Sequence, residues 1–482
     1  MDRRYILRMS ALLGAGLAHP AIRAAAPPTE LSPEMSVLSA YMGSAAHREL
    51  PGEVVEQAKF HILDTFAAMI SGSELPPGQA AFRYLKAHTD KGVSTIVGST
   101  RTSDPVNAAL ANGVMAHSDE TDDSHGRSRS HPGCAVVPAA LATGEKLKIN
   151  GAHFLRAVTL GYDVGTRVLM AMGGPTFSYE SHKSSHSIAG IFGAAAASGC
   201  AANLDAQRMR WLLDYTAQQS SGIAAWRRDT DHIEKAFVFG GMPARSGVTS
   251  ALLVSSGWNG IDDIFSGADN FFLAYAPEAD PAKLIEKLGD RYEITLTDIK
   301  KWTVGSPIQG PLDALELIRA RHPFEVNQVE RVLVRLEPSV AEVVDNRDIP
   351  DICLQHMVAI MLIDKTASFK AAHDKARMND EAVRRVRSKV QLVRDDALTK
   401  LLPVRVAIVE ITLTNGVVLT ERVDAVRGTP RNPMNKAEVI DKCRDLISPV
   451  LGAKKSKRLI ETVFNLDAVK DIRNLRPLLQ LG

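Results

Sequence analysis

The chain has 482 residues, of which 45% are hydrophobic and 5% aromatic, and carries a formal net charge of +2. That length accommodates two or three domains with ample core. A charge so near zero excludes a nucleic-acid binder working through a basic surface, and the composition excludes disordered and fibrous classes.

The first segment, Asp2-Arg3-Arg4-Tyr5-Ile6-Leu7-Arg8, has the pattern of a twin-arginine export signal. The apolar stretch from Met9 to Ala18 is too short to span a bilayer, and Ala24-Ala25-Ala26 offers a small-residue cleavage site. Residues 1–26 therefore predict a removable leader and a periplasmic protein. No later stretch reads as a membrane span, so stable membrane insertion is not expected. Cys134, Cys200, Cys353 and Cys443 lack the C-x-x-C spacing of zinc or dithiol sites and read as packing residues, any disulfide pairing being left open.

From Val37 to about Ala276 the pattern is helical. Leu155, Val158, Tyr162 and Leu169 mark one amphipathic stretch, and Ala194 to Ala197 forms a small-residue segment suited to close helix contact. Within this region Asp104-Pro105 predicts an N-cap followed by proline at the first helical position. Ala109, Gly113 and His117 then share a face of small residues that leads to His117 in the last turn.

The loop after this helix carries the densest chemistry. Between His117 and His131 lie three histidines (His117, His125, His131), four carboxylates (Asp119, Glu120, Asp122, Asp123), two arginines (Arg127, Arg129) and the hydroxyl of Ser124. Pro132-Gly133 breaks the chain, and Ala135 to Ala142 is apolar enough for a buried helix, so the loop is anchored at both ends. Such a loop is either a solvated acidic turn or an active site. A metal site built from His117, Asp119, Asp122, Asp123 and His125 is an alternative, although the H-x-x-x-H spacing of a helical metal site is missing.

The texture changes near Pro277-Glu278-Ala279-Asp280-Pro281. Val332, Val334 and Leu336 alternate with Arg331 and Arg335, and strand-like runs at Val404–Thr412 and Val417–Val423 flank Asn415-Gly416, a strong hairpin signal. These features predict a helix-plus-sheet domain over 281–430 after a helical domain over 31–280. Asn435 with Glu438 then forms a capping-box pattern, and Ile440, Cys443 and Ile447 form the stripe of a helix in the 431–482 tail.

Six runs carry a resemblance to a known family: AKFHILDTFAAMISGS at 58–73, ANGVMAHSDETDD at 111–123, SHPGCAVVPAALA at 130–142, GYDVGTR at 161–167, AGIFGAAAAS at 189–198 and GTPRNPMNKAEVIDK at 428–442. Together they resemble the MmgE/PrpD family, which includes 2-methylcitrate dehydratase, cis-aconitate decarboxylase and iminodisuccinate epimerase. The resemblance implies a mainly α fold with an inserted α+β lid domain, the C-terminal helices completing the helical domain, and a homodimer. It also implies a cofactor-independent lyase or isomerase that moves a proton beside a carboxylate of a small di- or tricarboxylate. Mapped on the family pattern, the catalytic candidates are His131, Lys235, Ser124, Glu120 and Asp123. His186, or else His182, replaces a family histidine whose aligned position is Ser184, and Gln309 stands where relatives carry a histidine. Arg127 and Arg227 could clamp substrate carboxylates bidentately, with Arg129 and Arg228 reading as surface residues. An exported carboxylate-binding protein without turnover is the remaining alternative.

Overall fold

The computed structural model describes residues 30–481 except residue 403, so the expected leader over 1–26 lies outside the described residues. Helices dominate residues 30–275, the longest α-helical elements being Gly52–Gly72, Gly133–Leu147, Gly151–Ala171 and Ser185–Ala201. Small residues explain their closeness. A Cβ on Gly165 would sit 2.4 Å from the carbonyl oxygen of Ala189, so helices 151–171 and 185–201 meet at a distance that larger residues forbid. The same holds where helix Pro105–Ala116 crosses the π-helical segment Phe237–Gly241: a Cβ on Gly113 would lie 2.5 Å from the carbonyl oxygen of Gly240. Asp104 caps the first of these helices, its carboxylate accepting from the backbone N–H groups of Val106 and Asn107 at 2.9 and 3.1 Å, with Pro105 at the first helical position.

Two apolar cores organise the chain. The first gathers residues from Met35 to Ile299 and takes back Met434, Val439, Cys443, Leu446, Leu459, Ile472 and Leu479 from the tail. The helical body is therefore discontinuous in sequence, with the helix Lys436–Leu451 opened by the Asn435–Glu438 capping box. The composition change at Pro277–Pro281 is not where the cores part. Leu284, Tyr292, Ile294 and Ile299 still belong to the first core, and the second begins at Trp302. The continuous helical run Ile233–Ser255 has the length and apolarity of a membrane span, yet 67% of its apolar window is buried in the protein.

The second core packs helices Ser306–Arg321 and Leu354–Asp364 on a mixed four-stranded sheet. Its strands run in the order Val390–Arg394, Val329–Leu336, Ala407–Leu413, Val418–Val423, the first pair parallel and the others antiparallel. Val332, Val334 and Leu336 are buried while Arg331 faces out, as their alternation predicts. The hairpin strand starts at Ala407 rather than Val404 because its partner ends at Val423, opposite Ala407. Asn415-Gly416 makes the turn, with Gly416 at φ +84°. All four cysteines are buried and unpaired.

Candidate active site between the two cores

The acidic loop is buried, and each of its acids has an assigned partner. Asp122 bridges two histidines, receiving His117 Nδ1 at 2.8 Å and His131 Nδ1 at 3.1 Å, with Lys300 Nζ 3.6 Å away. Glu120 forms an ion pair with Lys235, while Lys300 donates to the Glu120 carbonyl at 2.7 Å and stands 3.9 Å from its carboxylate. Burial alone would raise both carboxyls; Lys235 and Lys300 hold Glu120, and His117, His131 and Lys300 hold Asp122, well below the usual range. Both therefore stay ionised.

Phe239, carried by the π-helical segment, forms an aromatic floor. His117 and His186 both stack on its ring, with centroid distances of 4.4 and 3.9 Å, and Trp226 meets it edge-on at 4.6 Å. The ring of His131 lies 5.1 Å from those of His117 and His186, and His232 lies 5.2 Å from His117. Single-turn π segments recur at functional sites because the extra residue re-aims the side chains around it; here the re-aimed side chain is Phe239.

Burial disfavours the charged form of His117, His186 and His232. It lowers His117 against the pull of Asp122, depresses His186 well below its ordinary value with help from His131 and Arg129, and takes His232 down to about 3 with help from Lys235. His117 Nε2, His186 Nδ1, His232 Nε2 and Trp226 Nε1 are buried without a hydrogen-bond partner. Buried polar atoms are almost always paired, so four such atoms around one aromatic floor leave hydrogen-bonding capacity that a small polar molecule could take up.

The ring nitrogens of His117 and His232 and a carboxylate oxygen of Glu120 lie within 4.8 Å of one another, a spacing a metal ion could contract. Glu120 is already paired with Lys235 and stands 3.9 Å from Lys300, so its carboxylate is engaged by ammonium groups as it stands. The five-residue metal set read from the sequence is dispersed. Asp119 pairs with His373 of the second core at 3.0 Å. Asp123 accepts from Tyr162, from Gly133 N at 3.0 Å and meets His61 at 2.9 Å. His125 joins Ser128 at 2.8 Å and Glu293 at 3.2 Å.

Of the residues singled out by sequence, His131, Glu120, Lys235 and His186 converge on this pocket. The others take different partners. Asp123 caps the Gly133–Leu147 helix from below and is spent on its three contacts. Ser124 pairs through its backbone with Asp298, its N–H donating at 3.1 Å and its carbonyl accepting at 2.8 Å. Arg127 turns to Glu293 and Glu286 at 3.5 and 3.9 Å. Gln309 folds back on its own helix start, where its amide bonds Trp302 N and the carbonyls of Trp302 and Val304 at 2.7 to 3.0 Å, so none of it reaches the pocket. Arg227, next in sequence to Trp226, donates to the Ser178 carbonyl at 3.1 Å. His182 is exposed, whereas His186 is buried, and Ser184 caps the helix that carries His186.

Sequence reasoning missed Lys300, His232, Phe239 and the bridging role of Asp122. Lys300 had a signal, since it lies nine residues before Gln309, the position where relatives carry a histidine. Phe239 had none, because a lone Phe in an apolar run reads as core.

The MmgE/PrpD N-terminal domain family model matches residues 36–283, and the MmgE/PrpD C-terminal domain family model matches residues 302–468. Among curated proteins, a cis-aconitate decarboxylase-like protein oryM of Aspergillus oryzae is 24% identical, over 94% of this chain and 98% of that protein. The cis-aconitate decarboxylase of Homo sapiens is 26% identical over 89% of this chain and 91% of its own, and that of Aspergillus terreus is 23% identical over 92% and 94%.

Proposed function

Since the chain belongs to the MmgE/PrpD family, we propose that it is a lyase that removes carbon dioxide or water from a small tricarboxylate without an organic cofactor. The observation that carries this reading is the juxtaposition of His131, tied to Asp122 at 3.1 Å, with the Lys235–Glu120–Lys300 cluster in a pocket lined by unpartnered ring nitrogens.

With Nδ1 committed to Asp122, Nε2 of His131 is the atom left to exchange a proton. In a decarboxylation, the C–C bond to the leaving carboxylate breaks, its electron pair stays on carbon, and His131 delivers the proton that quenches it. In a dehydration, the same nitrogen takes the proton from carbon, the C–O bond breaks with its electron pair on the hydroxyl as the C=C bond forms, and the imidazolium gives that proton to the departing hydroxyl, so that water leaves and His131 returns to its starting form. Either way negative charge grows beside a retained carboxylate. The ammonium groups of Lys235 and Lys300 are fixed beside that place before reaction begins.

The reading extends to two features. The protein acts as a homodimer, supported by the family resemblance, and the Arg3-Arg4 leader directs export to the periplasm. The experiment for the activity is incubation of the leader-free protein with cis-aconitate, citrate and 2-methylcitrate in deuterated water, products being followed by NMR. Carbon dioxide release with deuterium at the reacting carbon, or alkene formation with loss of water, is expected. Unchanged substrates and no deuterium incorporation across the panel would overturn it.

A further inference from the structure

Arg129 and Arg227 meet one short segment, Ser178–Tyr179, beside the histidine cluster, and Arg405 lies within electrostatic reach of it. The guanidinium of Arg129 lies 3.7 Å over the ring of Tyr179, and Arg227 donates to the carbonyl of the preceding residue, Ser178, at 3.1 Å. Arg405 precedes the hairpin strand of the second core and lies within electrostatic reach of both Tyr179 and Arg129. Like charges so gathered repel. Burial lowers Arg129, and Arg405 and Arg227 lower it further.

None of the three forms an ion pair with an acid among the described residues. Asp298 is the acid Arg405 feels most, and no bond joins them. Arg129 Nη1 is buried without a partner. The segment is nonetheless held in place: Ser185 Oγ donates to the Arg129 carbonyl at 3.0 Å and meets Ser178 Oγ at the same distance. Arg129 itself stands at φ +51°, the last residue of the turn between His125 and Ser130, where glycine or asparagine would be easier.

The contrast with the inner pocket is one of charge. Lys235 and Lys300 already have Glu120 and Asp122 as counter-ions, whereas the three arginines have none. His186 stands between the two groups, 5.1 Å from the His131 ring and near enough to Arg129 to be depressed by it. A substrate reaching from His131 past His186 would bring its far end to the guanidiniums. Planar forked donors suit a carboxylate.

We propose that Arg129, Arg227 and Arg405 form an anion subsite that binds the carboxylate of the substrate most remote from the reacting carbon and selects tricarboxylates over dicarboxylates. This rests on the carboxylate-lyase reading above. Because Arg405 comes from the second core and Arg129 and Arg227 from the first, the subsite is complete only when the cores are docked.

The test compares two unreactive probes by calorimetry, propane-1,2,3-tricarboxylate and glutarate, on the wild type and on Arg129→Gln, Arg227→Gln and Arg405→Gln. The wild type should bind the tricarboxylate about 10-fold or more tightly than glutarate. Each substitution should weaken tricarboxylate binding by roughly 10-fold while changing glutarate binding by less than about 3-fold. In turnover of a tricarboxylate, KM should rise with kcat nearly constant. Equal losses for both probes, or no loss for either, would overturn the subsite while leaving the activity intact. Failure of the wild type to bind either probe would overturn the carboxylate reading itself, and the subsite with it.

Discussion

Lys300 and Lys442 grip successive carbonyls of the acidic loop: Lys300 Nζ donates to Glu120 O at 2.7 Å and Lys442 Nζ to Thr121 O at 3.0 Å. One lysine comes from the segment between the cores, the other from the C-terminal helix. Lys442 is also paired with the fully buried Asp64 at 2.6 Å. The backbone that presents Glu120 and Asp122 is thus fixed from two sides by residues distant in sequence.

Lys442→Met should be strongly destabilising, because it leaves the Asp64 charge buried and unpaired. A loss of about 3–5 kcal/mol is expected in denaturant titration. The Asp64→Asn/Lys442→Met double variant should recover part of it. A Lys442→Met protein as stable as the wild type would show that the pair carries no such weight.

His131→Ala should lower kcat by about 100- to 10,000-fold with little change in melting temperature, since Asp122 keeps His117 and Lys300 as partners. Asp122→Asn should also lower kcat, by removing the negative charge that orients His131. Steady-state kinetics on the identified substrate read both, and a fully active His131→Ala enzyme would refute the assignment.

Lys235→Ala should behave differently. If its ammonium holds a substrate carboxylate throughout the reaction, KM should rise most, with a smaller fall in kcat. A fall in kcat alone would instead assign Lys235 to the proton transfer.

Stability should weaken on the alkaline side. Burial alone would lower His373, but its ion pair with Asp119 raises it to about 9. A group raised in the folded state stabilises fully below its unfolded value near 6.5, and that contribution is lost as pH climbs through about 9. Asp351, raised to about 7 by burial, acts in the same direction over an earlier window, between about pH 4 and 7. Melting temperatures measured from pH 6.5 to 9.5 should therefore fall for the wild type, by up to about 3 kcal/mol of stability from His373. His373→Gln should be less stable at pH 6.5 and nearly flat across the window; parallel curves for the two proteins would contradict the linkage.

Export has its own check. Replacing Arg3 and Arg4 with lysine should retain the precursor in the cytoplasm, because twin-arginine translocation reads that pair as an address. Undiminished periplasmic recovery would count against it.

Local rules were legible in the chain. The Asp104 cap, the Asn415-Gly416 turn and the Asn435–Glu438 box each depend on residues a few positions apart, and each formed as read. The small-residue face through Gly113 led, as expected, to His117 at the pocket. Partnerships across the fold were not legible. Nothing near Arg127 announces Glu293, 166 residues on. The acidic residues of the loop look interchangeable in sequence, yet Asp123 is consumed by His61, Tyr162 and Gly133 while Asp122 serves the two histidines. Only the packing of five separate segments decides which carboxylate meets which ring.

The contact between Asp119 and His373 joins a loop of the first core to a short helix of the second, one residue away from Glu120. The pocket is a seam, and its geometry exists only while the two halves remain registered. Turnover consequently reports on docking and not merely on folding: as urea rises, activity should vanish while the helical signal of each half is still intact.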